Sequence, residues 1–553
     1  MKFRPKLCQN EEVHDKNETS KESIKKIQYT QLVASIAHTQ YSVVREVLGK
    51  EFGFRLTTDP IADWDICWAD TGVTQELVSK LKSYQKINHF PNMSCIARKN
   101  NLGRNLGRMR KMFIRDYNFF PPTWVLPLQW NELNDEINRK SKLYIVKPEG
   151  ASQGRGIYIT SSIDKIDQGK RCVVQRYIRK PYLIDSLKFD LRIYALVYGC
   201  DPLRIFLYKE GLARLATEEY VKPNRININN LYMHLTNYAI NKTSKNFIQN
   251  KDASDSNIGH KRSLAFIWKY IDTHGGNSRS IRRKIKRAIV KTLCAVQPQL
   301  SRCFRSCQPF NLDNSMCFEL LGFDVLLDYK LKPWILEVNH APSFCVDSPF
   351  DKKIKFQLIS DTIRLVNVNL ENRKEYIKKE QERMNARTYT RGIGDRMSKE
   401  EREEIKKSVM KKRDDYDIKN CGGFTRIYPD PKLNHKYQQF IDYAEKELEE
   451  FYGLRKREVS QNNSKLSTQS IPRPNTGIPK RASSIKSFEV TKGHFEVNTH
   501  TTSKHRTKKT MILKTTNVEK GNSVEEKRPQ TAVALPSFND IKSIFSKYKE
   551  NFE

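Results

Sequence analysis

Strand-like and helix-like segments alternate between residues 30 and 370, and this alternation restricts the chain to a mixed fold. The strand-like segments are short, apolar and rich in Val, Ile, Tyr and Phe; they are Leu143–Val146, Gly156–Thr160, Cys172–Ile178, Phe189–Tyr198, Leu203–Tyr208, Phe323–Leu327 and Trp334–Val338. Apolar residues recur at helical spacing in Ile281–Val296 and Ile354–Val366. Interleaving of this kind leaves the α/β and α+β classes open.

Composition divides the chain into four segments. Residues 30–370 are predicted to form a globular core, and residues 1–29 are polar and charged, which predicts a disordered leader. Residues 371–458 are predicted to be a charged helical extension, with helices around Glu371–Arg383, Ser398–Arg413 and Leu433–Tyr452. Residues 459–553 are rich in Ser, Thr, Asn and Lys, which predicts a disordered basic tail.

The chain is strongly basic, with 99 Lys and Arg residues against 63 Asp and Glu residues and a formal net charge of +36. The excess is +23 in residues 1–370, +4 in 371–460 and +9 in 461–553. Such charge favours a polyanionic partner, although a solvated basic face would have the same composition. No apolar run approaches about 18 residues, so no membrane span is expected. The eleven cysteines form no Cys-x-x-Cys pair, which favours reduced thiols in an intracellular protein.

The first candidate site is a lysine followed by a glycine-containing loop, in the sequence KPEGASQGRGI of residues 147–157. Glycines allow backbone N–H groups to approach phosphate oxygens closely, and Lys147 would add positive charge. The lysine precedes the glycines and no helix follows them, so the run is neither a P-loop nor a Rossmann fingerprint. An ordinary hairpin loop remains the alternative.

The second candidate site consists of three oxygen-bearing side chains on two predicted strands. Glu337 and Asn339 are two residues apart and therefore share one side of their strand, and Asp324 lies in the preceding strand. Carboxylates and amides are ligands that suit Mg²⁺ when phosphate oxygens and water complete its shell. Burying these polar groups without a partner would be costly, which favours a metal site over three unrelated strand ends.

The third candidate site is a charged strand face at Lys188, Asp190 and Arg192, which alternate with apolar residues. Arg214 and the run HLTNY of residues 234–238 accompany it later in the chain. A face of this kind is expected beside phosphates, or equally on a solvated sheet.

Taken in order, these motifs resemble the tubulin tyrosine ligase-like family, whose core is an α+β fold of the ATP-grasp type. The resemblance runs from about Tyr41 to Leu370 and is carried by residues 147–157, KFDLR at 188–192, HLTNY at 234–238 and WILEVN at 334–339. The runs QKINHFP at 85–91 and CDPLR at 200–204 resemble the branch of the family that makes polyglutamate chains on tubulin.

The resemblance implies roles for individual residues. ATP contacts are implied for Lys147, Arg155, Gly156, Gln175, Arg176, Tyr177, Ile178, Lys188, Asp190, Thr236 and Asn237. Asp324, Glu337 and Asn339 are the implied magnesium ligands. The incoming amino acid would lie at Arg214, Tyr238, Lys261 and Lys355, and the acceptor glutamate between Gln153 and His340. Catalysis would then depend on Lys147, Arg155, Arg214 and His340.

The function implied by the resemblance is ATP-dependent ligation of free L-glutamate to glutamate γ-carboxylates in tubulin tails, through an acyl phosphate and with ATP and Mg²⁺. The acidic microtubule would be the partner of the basic chain, gripped by residues 371–458, with neither nucleic acid nor membrane involved. We expect a monomer in the cytoplasm and cytoskeleton, including the cilium or basal body. The alternatives are a tubulin glycylase and a microtubule-binding protein with an inactive ligase site; the complete set Lys147, Asp324, Glu337 and Asn339 favours an enzyme.

Overall fold

Three β-sheets organise the residues that the computed structural model describes, which are 31–140, 142–389 and 398–453. Helices pack around the sheets, so the mixed helix and sheet fold predicted from the alternating segments is confirmed. The predicted leader at 1–29 and the predicted tail at 459–553 lie outside the described residues. All ten cysteines in the described ranges are free thiols.

The first sheet is small and parallel. Its order is β2-β1-β3-β4, and its strands are β1 (Val33–Ser35), β2 (Arg55–Thr57), β3 (Ile66–Cys67) and β4 (Lys86–Ile87). The helices of this region are α1 (Ser42–Glu46), which continues into a π-helical turn at Val47–Glu51, α2 (Gln75–Ser79), α3 (Ser94–Ala97) and α4 (Lys99–Met112). Parallel strands need covered faces, and the buried side chains of Val43, Val44 and Val47 supply part of that cover.

The second sheet is antiparallel and carries the predicted phosphate loop. Its order is β5-β8-β6-β7, with β5 (Thr123–Leu126), β6 (Tyr144–Pro148), β7 (Tyr158–Thr160) and β8 (Cys172–Arg176), and α5 (Trp130–Arg139) packs on β5. Tyr144 and Val146 point into the small core below the sheet. Side chains alternate along a strand, so Lys147 points to the opposite face, at the end of β6.

The third sheet is the centre of the molecule and has seven antiparallel strands. Its order is β12-β11-β10-β13-β14, with β9 on β10 and β15 on β11; the strands are β9 (Leu183–Ile184), β10 (Leu187–Cys200), β11 (Leu203–Glu219), β12 (Lys261–Ser263), β13 (Glu319–Leu327), β14 (Pro333–Asn339) and β15 (Phe424–Tyr428). Around it lie α6 (Leu231–His234), α7 (Tyr238–Asn241), α8 (Leu264–Thr273), α9 (Ser278–Cys294), α10 (Gln297–Cys307) and α11 (Pro349–Val366).

Both faces of the central sheet are buried, and the alternation along β10 shows how. Leu191, Ile193 and Ala195 point into the larger hydrophobic core, whereas Tyr194 and Leu196 point into a second core on the other face. The even-numbered face also carries the charged residues of positions 190 and 192. The predicted charged strand face therefore exists, but it is enclosed by the fold rather than solvated.

Several predicted boundaries differ from the structure. The strand predicted at Leu203–Tyr208 continues to Glu219, and most of its residues beyond Glu210 are buried again. The helix predicted at Ile281–Val296 begins at Ser278, where the Asn277 side chain accepts a hydrogen bond from the backbone N–H of Ser280. The strand predicted at Cys172–Ile178 ends at Arg176, and the one predicted at Gly156–Thr160 begins at Tyr158.

The region predicted as a charged extension contains the expected helices, α12 (Leu370–Tyr389), α13 (Lys399–Asn420) and α14 (Asn434–Phe451). It also supplies β15, which extends the central sheet by pairing with β11. Buried Arg204 pairs with Asp414 and Asp417 of α13, so this region is bound into the core. No helix within the described ranges combines the length and apolar character needed to cross a bilayer.

Candidate active site

Four charged residues meet in the middle of the central sheet. In the strand register Asp190 is opposite Arg214, and Arg192 is opposite Asp324. The Arg192 Nε donates to Asp324 Oδ1 at 2.6 Å, and the Arg214 Nε donates to Asp190 Oδ1 at 3.0 Å. The Arg214 Nη2 also lies 2.9 Å from Asp324 Oδ2 and so joins the two pairs.

The network gives its two carboxyl groups different pKa values. Burial raises the pKa of Asp324, but Arg192 and Arg214 outweigh it and lower the pKa to about 2. Burial of Asp190 outweighs the effect of Arg214, so its pKa is raised above the ordinary value. Asp324 therefore holds a firm negative charge at neutral pH, as a cation ligand requires.

The three predicted magnesium ligands come together at the β13–β14 pair. Asp324 and Glu337 are opposite each other in the strand register. The Asn339 Nδ2 donates to Asp324 Oδ2 at 3.4 Å, which leaves the amide oxygen free to accept. The half-buried Glu337 carboxylate makes no hydrogen bond or ion pair with any other described residue. The donor set of two carboxylates and an amide suits Mg²⁺.

Lys147 faces this cluster from the second sheet. Its Nζ donates to Gln175 Oε1 at 2.9 Å, and Gln175 in turn donates to Thr123 Oγ1 at 2.9 Å. Burial lowers the pKa of Lys147 to about 8, although the negative charges of Glu337 and Asp324 act in the opposite direction. The only group that Lys147 contacts by hydrogen bonding among the described residues is thus neutral.

Lys188 is a second buried lysine with neutral partners. Its Nζ donates to the Tyr177 hydroxyl at 3.1 Å and to the backbone oxygen of His234 at 2.6 Å. Burial lowers the pKa of Lys188 to about 7, despite the nearby charge of Asp190. Burial and the charge of Lys188 also lower the pKa of His234 to about 4, so its imidazole is neutral.

The predicted phosphate loop follows β6 and approaches the segment between α6 and α7. Gln153, Gly154 and Gly156 all have positive φ. A Cβ at Gly154 would lie 2.4 Å from Ile240 Cδ1 and 3.1 Å from Asn237 Oδ1, so only glycine permits this approach. Exposed Arg155 contacts only Ser152, at 3.4 Å, among the described residues. The loop thereby lies beside Asn237.

Two of the residues predicted to receive the incoming amino acid, Arg214 and Lys261, lie on β11 and β12, and the other two, Tyr238 and Lys355, lie on α7 and α11. Arg214 is opposite Lys261 in the strand register. Lys261 and Lys355 both pair with the buried carboxylate of Asp351, and the Lys261 Nζ lies 3.7 Å from the centre of the Tyr238 ring. The structure therefore brings these four predicted residues to one place, with Asp351 as the carboxylate that the sequence did not indicate.

His340 belongs to a cluster that the sequence prediction missed in part. The Nδ1 of His340 lies 3.7 Å from Glu319 Oε1 and has no hydrogen-bond partner in the described structure. His89 contacts the same carboxylate oxygen through Nδ1 at 3.0 Å and the Ala69 backbone oxygen through Nε2 at 2.9 Å. Burial lowers the pKa of His89, but Glu319 outweighs burial, so the pKa is raised.

This cluster has the composition of a metal site, since ligating atoms of His89, Glu319 and His340 lie within 4.8 Å of one another. His89 is already hydrogen-bonded through both ring nitrogens, to Glu319 and to the Ala69 backbone oxygen, so it is fixed as a partner of the Glu319 carboxylate. The sequence signal that could have indicated the pair of His89 and Glu319 is the position of the Glu319 carboxylate inside the apolar segment 318–327.

The remaining predicted residues are spread around the site. Arg176, Tyr177 and Ile178 line a cavity of about 1000 Å³. The side chain of Arg176 is turned to Glu136, with which it pairs. Thr236 is buried, whereas Gln153 is exposed and makes no contact with His340 among the described side-chain hydrogen bonds and ion pairs.

Comparison with known families agrees with this geometry. A model of the tubulin-tyrosine ligase family matches residues 77–376, which is more than half of the 553-residue chain. The chain therefore belongs to the tubulin-tyrosine ligase family. The matched span contains every predicted site residue.

The chain is also similar to individual members of that family. It is 46% identical over 427 residues to the "Probable beta-tubulin polyglutamylase" of Tetrahymena thermophila, covering 76% of this chain and 36% of the relative. It is 44% identical over 437 residues to "Tubulin polyglutamylase TTLL6" of Mus musculus, covering 79% and 51%, and 37% identical over 440 residues to "Tubulin polyglutamylase TTLL7" of Homo sapiens, covering 75% and 49%. The chain thus matches between about a third and a half of the length of these curated relatives.

Proposed function

We propose that this protein is an ATP-dependent tubulin polyglutamylase, which adds glutamate to the γ-carboxylates of glutamates in tubulin C-terminal tails. The observation that carries the proposal is the pair of buried lysines, Lys147 and Lys188, which form no ion pair within the described ranges. Buried ammonium groups without a carboxylate partner are costly, and a polyphosphate would supply the missing negative charge. The names of the similar proteins support tubulin as the acceptor and glutamate as the added group.

The residues present fit ATP and magnesium in a fold of the ATP-grasp type. Lys147 and Lys188 would face the phosphates, the loop at Arg155 and Gly156 would cover them, and further ATP contacts would come from Gln175, Arg176, Tyr177, Ile178, Asp190, Thr236 and Asn237. Asp324, Glu337 and Asn339 would hold Mg²⁺. The metal would offset phosphate charge and orient the phosphates. The free carboxylate of Glu337 and the ionised carboxylate of Asp324 are the observations that support this fit.

The reaction joins an amine to a carboxylate, which is unfavourable in water without activation. The acceptor γ-carboxylate would attack the terminal phosphate of ATP, forming an acyl phosphate and releasing ADP. The amine of free glutamate would then attack the acyl carbon, phosphate would leave, and the amine would lose its extra proton. Lys147 would stabilise the charge that develops on the transferred phosphate. No side-chain nucleophile is required.

The incoming glutamate would lie beside Arg214, Lys261, Lys355 and Tyr238. Arg214 already gives its Nε and Nη2 to carboxylates, so a substrate carboxylate would bind to the Nη1 side of its guanidinium group. Lys261 and Lys355 add positive charge next to it. A glycine substrate would also need this carboxylate site, so a glycylase remains the second candidate, and the polyglutamylase names of the relatives favour glutamate.

The rest of the proposal concerns the partner and the place of action. We expect a monomer that acts on microtubules in the cytoplasm and cytoskeleton, including the cilium or basal body, and that binds neither nucleic acid nor membrane. His340 and Gln153 would contact the acceptor tail. The segment 371–458 is proposed to assist microtubule binding.

Incorporation of labelled glutamate tests this function. The protein, Mg²⁺ and tritiated glutamate are incubated with microtubules, with and without ATP, and with microtubules whose tails have been removed by limited proteolysis. Incorporation that needs both ATP and the tails is the expected result. Binding to microtubules without incorporation under any of these conditions would instead identify a microtubule-binding protein with an inactive site.

A further inference from the structure

Helix α9 carries a dense group of cations on its solvent side. They are Arg279, Arg282, Arg283, Lys284, Lys286 and Arg287, and the helix contains no acidic residue. None of these six side chains forms an ion pair with another residue of the described ranges. The nearby carboxylate of Asp272 accepts hydrogen bonds from the hydroxyl and the backbone N–H of Ser278, and these lower the pKa of Asp272. The charge of Arg282 adds to this effect, but Arg282 forms no ion pair with Asp272.

The spacing of these cations works against the helix that carries them. Arg279 and Arg283, Arg282 and Lys286, and Arg283 and Arg287 are each four residues apart, which makes them neighbours on the helix surface. Like charges at this spacing destabilise a helix. At least one acidic residue among these cations would therefore stabilise the helix, but α9 has none.

The core holds α9 in place against this repulsion. Ile281, Ile285 and Ile289 are buried in the largest hydrophobic core, and the Asn277 side chain caps the first turn. The helix also packs against β14, the strand of Glu337 and Asn339. The cationic face is thus a rigid surface, about 12 Å long from Arg279 to Arg287, fixed to the sheet that carries the candidate active site.

The helix α12, in the predicted microtubule-binding extension, presents the opposite case. Four of its cations, Lys374, Lys378, Lys379 and Arg383, each pair with a glutamate three or four residues away on the same helix. Those four charges are already neutralised within the helix, so any contribution of residues 371–458 to microtubule binding would come from their other side chains. The two helices carry similar numbers of cations, but α9 alone of the two leaves a group of this size for a partner.

We infer that the exposed face of α9 is a docking surface for the acidic surface of the folded tubulin polymer. This inference rests on the proposed function and adds to it a place where the enzyme grips its substrate apart from the tail that it modifies. Charge complementarity identifies the occupant, since an acidic polymer can present several carboxylates to a rigid row of cations at once. Charge removal on α9 weakens attachment to the polymer and leaves the chemistry on an isolated tail unchanged.

Two quadruple variants with equal charge loss test the inference. The first replaces Arg279, Arg282, Arg283 and Arg287 with Gln, and the matched control replaces Lys374, Lys378, Lys379 and Arg383 with Gln. Gln is a good helix former, so both helices are retained. Co-sedimentation with microtubules over a series of salt concentrations gives the affinity, and glutamylation of a short free tail peptide reports the active site.

The α9 variant is expected to bind microtubules about fifteenfold more weakly at low salt and with a flatter salt dependence. Each exposed ion pair contributes roughly twofold, and four of them multiply. The control is expected to change affinity less than twofold, and both variants are expected to glutamylate the peptide at the wild-type rate. Equal effects of the two variants on microtubule binding, or a loss of peptide activity in the α9 variant, would overturn the inference.

Two further arms identify the partner and separate the inference from the proposed function. If binding to anionic lipid vesicles or to RNA depends on α9 as strongly as microtubule binding does, α9 is a surface that binds polyanions in general. That result would overturn its assignment to the polymer surface. If wild-type protein glutamylates neither microtubules nor peptide, the proposed function fails, whereas the sedimentation result still decides whether α9 docks the polymer.

Discussion

Replacing Lys147 with Met should abolish the activity and at the same time make the protein more stable at neutral pH. Lys147 is 8% exposed, and burial lowers its pKa from 10.5 to about 8. A depressed lysine pKa means that the folded state disfavours the charged form. The cost at pH 7 is about 3 kcal/mol of folding free energy, because each tenfold weakening of proton binding in the folded state corresponds to roughly 1.4 kcal/mol.

The stability gained by Lys147→Met is expected to be smaller than the cost of burying the lysine charge. Methionine has a similar length and no charge, but it leaves Gln175 Oε1 without its donor, which costs about 1–2 kcal/mol. The variant should therefore be about 1–2 kcal/mol more stable than wild type at pH 7. Between pH 8 and 10.5 the unfolded chain binds more protons than the folded one, so wild-type stability rises with pH in this window. At about pH 9.5 the buried lysine lowers the free energy of unfolding by only about 1.5 kcal/mol. The stability advantage of Lys147→Met over wild type should therefore nearly disappear at that pH.

Urea unfolding at about pH 7 and about pH 9.5, followed by tryptophan fluorescence, measures this difference directly. Lys142→Met is the matched control, since Lys142 lies exposed just before β6 and should show no pH-dependent difference. Turnover of Lys147→Met should fall by about 10²-fold or more, the scale of one preorganised electrostatic contact. A variant that is less stable than wild type at neutral pH, or that keeps wild-type turnover, would refute the account of Lys147 as a functional buried charge.

Three other variants test further parts of the site. Glu337→Gln should lower turnover by about 10²-fold without loss of stability, because the Glu337 carboxylate has no described partner; kinetics at varied Mg²⁺ together with thermal unfolding check this. Arg214→Lys should raise the KM for glutamate more than the KM for ATP, since lysine keeps the charge but loses the Nη1 side of the planar guanidinium group, and the lost bonds to Asp190 and Asp324 also disturb the ATP site; an unchanged glutamate KM would remove Arg214 from the amino-acid site. Deleting residues 371–458 should unfold or strongly destabilise the core, because buried Arg204 loses both its carboxylates; a deletion variant with wild-type unfolding behaviour would contradict this.

The sequence predicted the strands of the site well because their pattern is local. The segments around Lys147, Asp324 and Glu337 are short apolar runs with one polar residue, and such a run predicts both a strand and an unusual side chain within it. Alternation also placed Asp190 and Arg192 on one face correctly. What alternation could not show was whether that face was solvated, which depends on the second core packed against it.

Long-range pairing could not be predicted from the sequence. The bonds from Arg214 to Asp190 and Asp324 follow from which strands are neighbours in the sheet, and no spacing along the chain encodes that order. The same holds for His89 and Glu319, which are 230 residues apart. Strand β15 was missed because it is a single short segment between charged helices, and its partner β11 lies far earlier in the chain.

Mass spectrometry of tubulin tails tests the central claim most directly. Microtubules are incubated with the protein, ATP and Mg²⁺, together with either glutamate or glycine, and the tail peptides are then released and sequenced by fragmentation. We expect added glutamyl residues, linked to γ-carboxylates of tail glutamates, that appear only with glutamate and ATP and are absent with Glu337→Gln. Glycyl additions, or no additions from wild-type protein that still binds ATP and microtubules, would contradict the proposed function.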